Sequence, residues 1–574
     1  MVTINGSEHD TAVKVVATEA TVPEKVATDA TGGVATETTK QEMVVMEMAI
    51  VDTTKGDDDS STPSLGLPWK TGLHLFVLNL SRVFKLDDIG SEILRVAIPA
   101  SLALAADPIA SLVDTAFMGQ IGKSEVAAVG VAVAIFNQIA KVFIYPLVSV
   151  TTSFVAEEEA LINCDTEEQN VGDLEISEST RDAEPTQMPP LIDSENKIFG
   201  NVLRTNYESL PKCAGKRKFI PSVTSALIVG AVLGLIQAFF LILTAKYSIL
   251  LMTGGKPSQQ MRRLAFRYLT IRALGSPANL LQLAMIGVFR GFKDTKTPLY
   301  AIVIGDVMNI ILEAIMVFVF HMSVTGAAIA HVFGQYLIAL ILFFALVRRV
   351  DIIPPSIKSL KFRRFIGCGF MLLGRVIAVT SCVTLASSLA ARQGDTIMAA
   401  FQISNQIWMS TSLLADGLAV AGQAILAAAF AKSDHYKVVV STARVLQMSI
   451  VMGLCLSVFL GILLSFGASI FSKDADVIEV VHQSILFVAG LQTVNSVAFV
   501  FDGINFGASD YTFSAYSMVG VAAISVPCII VLSMHDGYIG IWIGLALYMI
   551  LRTLASTWRM GAAAGPWSFL RKSQ

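Results

Sequence analysis

From Ile93 onward the chain repeats one feature about twelve times: an apolar run of roughly 20 residues or more, at approximately 93–117, 126–156, 221–252, 263–289, 298–320, 324–347, 365–391, 395–430, 437–466, 477–504, 511–533 and 537–558. Twenty residues of α-helix span about 30 Å, the thickness of a hydrocarbon core. In lipid a backbone must satisfy its own hydrogen bonds, so such runs can only be helices. The spacing predicts an all-α polytopic membrane protein with about twelve transmembrane helices. Several runs are longer than a perpendicular crossing needs, which calls for tilt or bending, for instance at Pro146. Composition agrees: 54% of the 574 residues are hydrophobic and 15% charged, against roughly 25% charged in a soluble domain.

The formal charge of −3 conceals an uneven distribution. Residues 1–88 and 157–219 each hold 14 acids and 7 bases, which leaves 28 of the 42 bases and 17 of the 45 acids, a surplus of 11 positive charges, in the apolar body. Both acidic segments are poor in aromatics and read as disordered. Within the first, Trp69–Lys85 sets Trp69, Leu73, Phe76, Leu80 and Phe84 at helical spacing among bases, the pattern of a helix lying on a membrane surface. About 21 Lys and Arg flank the spans on the face that carries the N-terminus, against 6 on the other. This places both termini and the 157–219 loop in the cytoplasm.

A repeat is legible. Gly122 with Ala127-Ala128 recurs at identical internal spacing as Gly394 with Ala399-Ala400, and Asp294 with Tyr300 recurs likewise as Asp510 with Tyr516. Two six-helix lobes follow: 89–350 (spans 1–6, including the acidic loop) and 351–560 (spans 7–12), with a tail over 561–574. A parallel repeat of this kind puts a substrate site between the halves.

Soluble-enzyme chemistry is absent, so the chain is not expected to be an enzyme. Gly119-Gln-Ile-Gly122-Lys123-Ser124 imitates a phosphate-binding loop but has the wrong glycine spacing and lies between two spans. The six cysteines show no paired spacing, so neither a disulfide framework nor a metal site is expected. No cofactor is expected, and any transport must draw on an ion gradient.

The informative residues are ionisable groups inside spans, since a charge at the bilayer centre costs at least about 2.5–3.5 kcal/mol. Asn309 and Glu313 are four apart, on one helical face, and Asp114 lies deep in the first span. At the repeat offsets their counterparts are Ser525, Ile529 and Ala386 respectively, so proton coupling belongs to the first half alone. Asp107, which precedes Pro108, and Asp306, one turn before Asn309, are either helix caps or members of that site. Asp416 and Asp502 each precede a glycine and either mark helix kinks or bind substrate. Arg272 lies near a span end and is read as snorkelling to the interface. Lys141 and Arg375, well inside their spans, either line an anion-binding cavity or form ion pairs.

Five stretches carry a family likeness: Leu102–Gly119 with its Val113-Asp114-Thr115, Pro146–Glu158, Arg290–Pro298, Ala415–Ile425 and Asp502–Asp510. They resemble the multidrug and toxic compound extrusion (MATE) family, and within it the plant citrate exporters, over about residues 90–560. The resemblance implies twelve helices in two lobes, alternating access and cation-coupled efflux. It also implies a proton site at Asp114, Asn309 and Glu313, where Glu313-Ala314 replaces the family's Asp-Pro. Substrate-binding residues are expected among Gln138, Lys141, Arg375, Asp416, Gln423, Asp502 and Asn505. The expected protein is a monomeric proton-coupled antiporter that exports citrate or a similar organic anion across a plant plasma membrane, in aluminium tolerance or iron translocation, with no nucleic-acid partner. The alternatives are an exporter of cationic or phenolic metabolites, and an anion channel or regulatory scaffold.

Overall fold

A computed structural model describes residues 87–121, 123–179, 218–252, 259–351, 362–471 and 475–572. The expected surface helix at 69–85 lies outside these. Helices α1 (Asp88–Ile121), α2 (Lys123–Ser179), α3 (Pro221–Met252), α4 (Gln259–Ala273), α5 (Ser276–Gly291), α6 (Lys296–Ala314) and α7 (Ser323–Val347) make the first half. The second half holds α8 (Phe362–Arg392), α9 (Asp395–Ala431), α10 (His435–Phe471), α11 (Ala475–Gly490), α12 (Gln492–Gly507) and α13 (Tyr511–Gly561), and a short α14 (Phe569–Lys572) follows. β1 (Lys218–Phe219) and β2 (Val350–Asp351) pair in parallel, Lys218 opposite Val350.

Nine described helices are long and apolar enough to cross a membrane, and ten if the bent pair α11–α12 counts as one span. The two remaining expected segments are present in other forms. Residues 263–289 are the broken pair α4–α5, and 537–558 is the second part of α13, which kinks at Gly537 with φ 59°. The polar assignment of 157–219 is corrected in part. Helix α2 runs on to Ser179, and Glu158 is buried, accepting hydrogen bonds from the Ser222 amide at 2.9 Å and its hydroxyl at 2.7 Å.

The offset that carries Asp294 onto Asp510 recurs in the backbone itself. The break at Leu274-Gly275 corresponds to the one at Leu491, Lys293 (φ 56°) to Ser509 (φ 55°), and His321 (φ 56°) to Gly537. In each half an aspartate ahead of the fifth span pairs with an arginine at the end of the sixth: Asp294 with Arg349 at 2.6 Å, and Asp510 with Arg559 at 2.9 Å.

Two apolar clusters belong to the first half, around Phe136 and Phe289, and one to the second, around Trp408 and Trp542. Two others join the halves, through Ile93, Val96 and Ala97 against α9, α10 and α12, and through Phe154 against Phe365 and Tyr511. Polar bonds across the halves gather at the same end. Arg364 donates twice to the Glu157 carboxylate (3.2 and 2.8 Å), Lys437 reaches Glu92 at 3.2 Å, Arg444 pairs with Asp87, and Gln423 donates to the Ser149 carbonyl at 2.7 Å. This end, which carries the start of α1, is shut. Nearer the other end, α2 leaves Asn137, Gln138 and Lys141 exposed on one face, and α9 leaves Gln402, Gln406 and Ser410 exposed.

Candidate functional site

Two buried ionic clusters stand out, one per half. In the first, the Asn309 amide donates to Asp114 Oδ1 at 3.3 Å, and the Asp114 and Glu313 carboxyls meet within hydrogen-bonding reach. Asn309 and Glu313 are 3% and 1% exposed, so both are shielded from water in this packing. The i, i+4 spacing on α6 presents amide and carboxyl together to α1, as the sequence predicts. Directly after Glu313-Ala314 the helix widens into a π-turn, Ile315–Val319, a feature common at functional sites. Two carboxyls this close cannot both ionise at low cost.

Three further groups, not foreseen as members, complete this cluster. His331 Nδ1 of α7 lies 4.0 Å from Asp114 Oδ2, and its Nε2 is 3.1 Å from the Gln335 amide nitrogen. Arg272 is buried, not snorkelling. It donates to the Tyr268 hydroxyl at 3.1 Å and lies 4.7 Å over the Phe136 ring. The chain breaks after Ala273 and resumes at Ser276, so Arg272 stands at an interruption within the apolar segment rather than at its end. His331 and Gln335 carry a signal that could have found them, a polar pair at i, i+4 within an otherwise apolar run.

In the second half Asp502 of α12 accepts from Arg552 of α13 and forms an ion pair with Arg375 of α8. The guanidiniums lie 5.0 Å over Phe506 and 4.8 Å over Phe499. Arg375 is therefore an ion-pair member as well as a buried cation. Asp416 of α9 is half-buried within electrostatic range of this trio and of Arg290 from the first half. Asp502, Arg552, Asn505 and Ser556 line a narrow polar crevice, in which Asn505 donates to Ser556 at 3.2 Å.

The glycines after Asp416 and Asp502 do not kink their helices. They mark close crossings instead. A Cβ on Gly417 would lie 2.9 Å from Ser101 Cα, and one on Gly503 would lie 2.2 Å from the Ala419 carbonyl oxygen. Gln423 is corrected too, for it is buried and its amide bridges the halves to Ser149 and Ser153. Gln138 and Lys141 are exposed on α2.

The clusters are reciprocal. At the two offsets, Asp114, Arg272, Glu313 and His331 correspond to Ala386, Val488, Ile529 and Leu547, while Arg375, Asp416, Asp502 and Arg552 correspond to Ala103, Ile144, Ile286 and Tyr336. Each half buries charge where the other has none.

A repeated helical bundle shut at one end and ionic inside each half is the build of a membrane transporter. A model of the MatE family matches residues 214–315 and 372–531. Protein DETOXIFICATION 42 of Arabidopsis thaliana is 53% identical over 87% of this chain and 97% of its own length, and Protein DETOXIFICATION 43 of the same plant is 50% identical over 90% and 98%. A solved MATE structure in the straight conformation superposes with a TM-score of 0.66 at 16% identity, covering 86% of this chain and all of that one. The chain belongs to the MATE family. It is a multi-pass membrane transporter, an antiporter-like exporter, and not an enzyme.

Proposed function

We propose that this transporter is a proton-coupled antiporter that exports citrate or a similar organic anion. The observation that carries the reading is the reciprocity of the clusters: a proton-sharing carboxyl pair at Asp114 and Glu313 in one half, and two buried guanidiniums, Arg375 and Arg552, on a single carboxylate in the other. Arg375 and Arg552 are the cations that an anionic guest near the second cluster would meet. Lys141 and Gln138, both exposed on α2, supply contacts on the way.

The excess of Lys and Arg on the N-terminal face supports cytoplasmic termini, so the conformation described here is shut to the cytoplasm and faces outward. Protons arriving from an acidic exterior load the Asp114–Glu313 pair, and their release inside lets the anion leave in the opposite sense. The coupling requires that each ligand bind the two lobe packings with different affinity. A monomer in the plasma membrane, serving aluminium chelation outside the cell or iron movement, is the setting that fits this cargo.

The test is radiolabelled citrate efflux from oocytes or proteoliposomes with and without a pH gradient. Gradient-dependent efflux lost in Asp114→Asn and Glu313→Gln supports the reading, and efflux unchanged in both rejects it. Currents that reverse at the anion equilibrium potential, without pH dependence, identify a channel instead.

A further inference from the structure

Arg272 is a buried charge with no ion pair within 4.0 Å among the described residues. It is 7% exposed, its Nη1 is spent on the Tyr268 hydroxyl, and its Nε has no partner. A lone guanidinium in such a place costs more than one hydrogen bond and two ring faces return, so its balance must come from charges further off. Asp114 faces it from α1 and His331 from α7. Glu313 of α6 joins through Asp114, and Tyr268 stands beside it on its own helix. Of the other helices packed on α4, α2 presents the Phe136 ring to Arg272, and α3 has its exposed Lys246 over Phe266 at 5.8 Å.

Counting charge with His331 and Tyr268 neutral, two ionised carboxylates and one guanidinium sum to −1, one shared proton brings the site to zero, and a second makes it +1. We propose that Arg272 is a positioning residue, the fixed counter-cation of the Asp114–Glu313 pair, which makes the one-proton state the neutral one and holds exchange to a single proton per cycle. The inference rests on the proton-coupled reading and deepens it. Without Arg272 the neutral state carries two protons, and the pair gives them up only in more alkaline solution.

The protonated carboxyl can be followed without any substrate, as its C=O stretching band in infrared difference spectra of the full chain in lipid, with D114N and E313Q assigning the band. R272Q is expected to move the titration midpoint alkaline by about one to two pH units, the size of one charge removed at several ångströms in an effective dielectric near 20. R272K, which keeps the charge, should stay within about half a unit of the unmodified chain. An unmoved midpoint in R272Q, with the band still assigned to Asp114 and Glu313, overturns the proposal and leaves the proton site standing. A band untouched by D114N and E313Q removes the proton site itself, and this inference with it. Should R272Q fail to insert stably, R272Q with E313Q restores the charge balance. Recovery of a monodisperse, wild-type-like melt in the double variant supports the counter-cation, and a double variant no more stable than R272Q overturns it.

Discussion

Gly417→Ala adds one methyl where α1 crosses α9 at the shut end. That Cβ would stand 1.9 Å from Ser101 Oγ, 2.8 Å from its nitrogen and 2.9 Å from its Cα, against an ordinary contact of 3.4–4 Å. The hydroxyl, bonded to the Leu414 carbonyl at 3.4 Å, can rotate away. The two backbone atoms cannot, so the helices must part by about half an ångström or more at the crossing. Overpacking of this order costs about 1–3 kcal/mol. In the proposed antiport cycle this end opens in the other state, which relieves the clash there. The substitution should therefore shift the lobe equilibrium away from the present packing by about 5- to 140-fold. Gln402→Cys in a cysteine-free background, exposed on the cleft face of α9, reports the open end through its labelling rate with a membrane-impermeant thiol reagent. Gly417→Ala should slow labelling, while Gly374→Ala, whose Cβ meets nothing within 4 Å, should not. Equal rates in the two variants would refute the reasoning.

Two further outcomes follow from the ion pairs. Asp502→Ala leaves Arg375 and Arg552 buried without their shared carboxylate and should destabilise the second half by about 3–5 kcal/mol, read as a large fall in melting temperature in detergent; a melt unchanged within error contradicts the burial described. At Asp294, in the turn before α6, burial raises the carboxyl's pKa, but the Thr297 hydrogen bonds and the Arg349 guanidinium outweigh it and hold the group below its usual range. A depressed carboxyl contributes stability above its unfolded pKa, near 3.9, and loses it as pH falls through the folded value. Asp294→Asn should thus lower the melting temperature at neutral pH, with the difference shrinking below about pH 4; a gap that is constant with pH would contradict the pairing.

Much of the fold was legible because the bilayer leaves a chain few options: apolar length marks the spans, and the repeat offsets mark their kinship. Asp114, Asn309 and Glu313 were legible as a site because each is costly where it lies and two share a helical face. Arg272 was misread because proximity to a span end was measured along the chain, while its guanidinium turns in to the Tyr268 hydroxyl and the Phe136 ring. Gln423 and the glycines after Asp416 and Asp502 were misread for a different reason. Their partners, Ser149, Ser101 and Ala419, lie on other helices, and no local pattern announces which surfaces will cross. The link from Arg375 to Asp502 is of the same kind, joining α8 to α12 across three intervening helices of sequence.

The separation of the two clusters constrains how they can communicate. Each is closed within its own half, with only Arg290 reaching across toward Asp416. No described side chain belongs to both, so a change of charge in one reaches the other as a mechanical bias on the shared crossings of α1, α2, α8 and α9 rather than along a wire of hydrogen bonds. Stiffness at those crossings is then the transmission, and a chain whose halves were loosened there could keep both clusters intact, bind both ligands, and still leak one without the other.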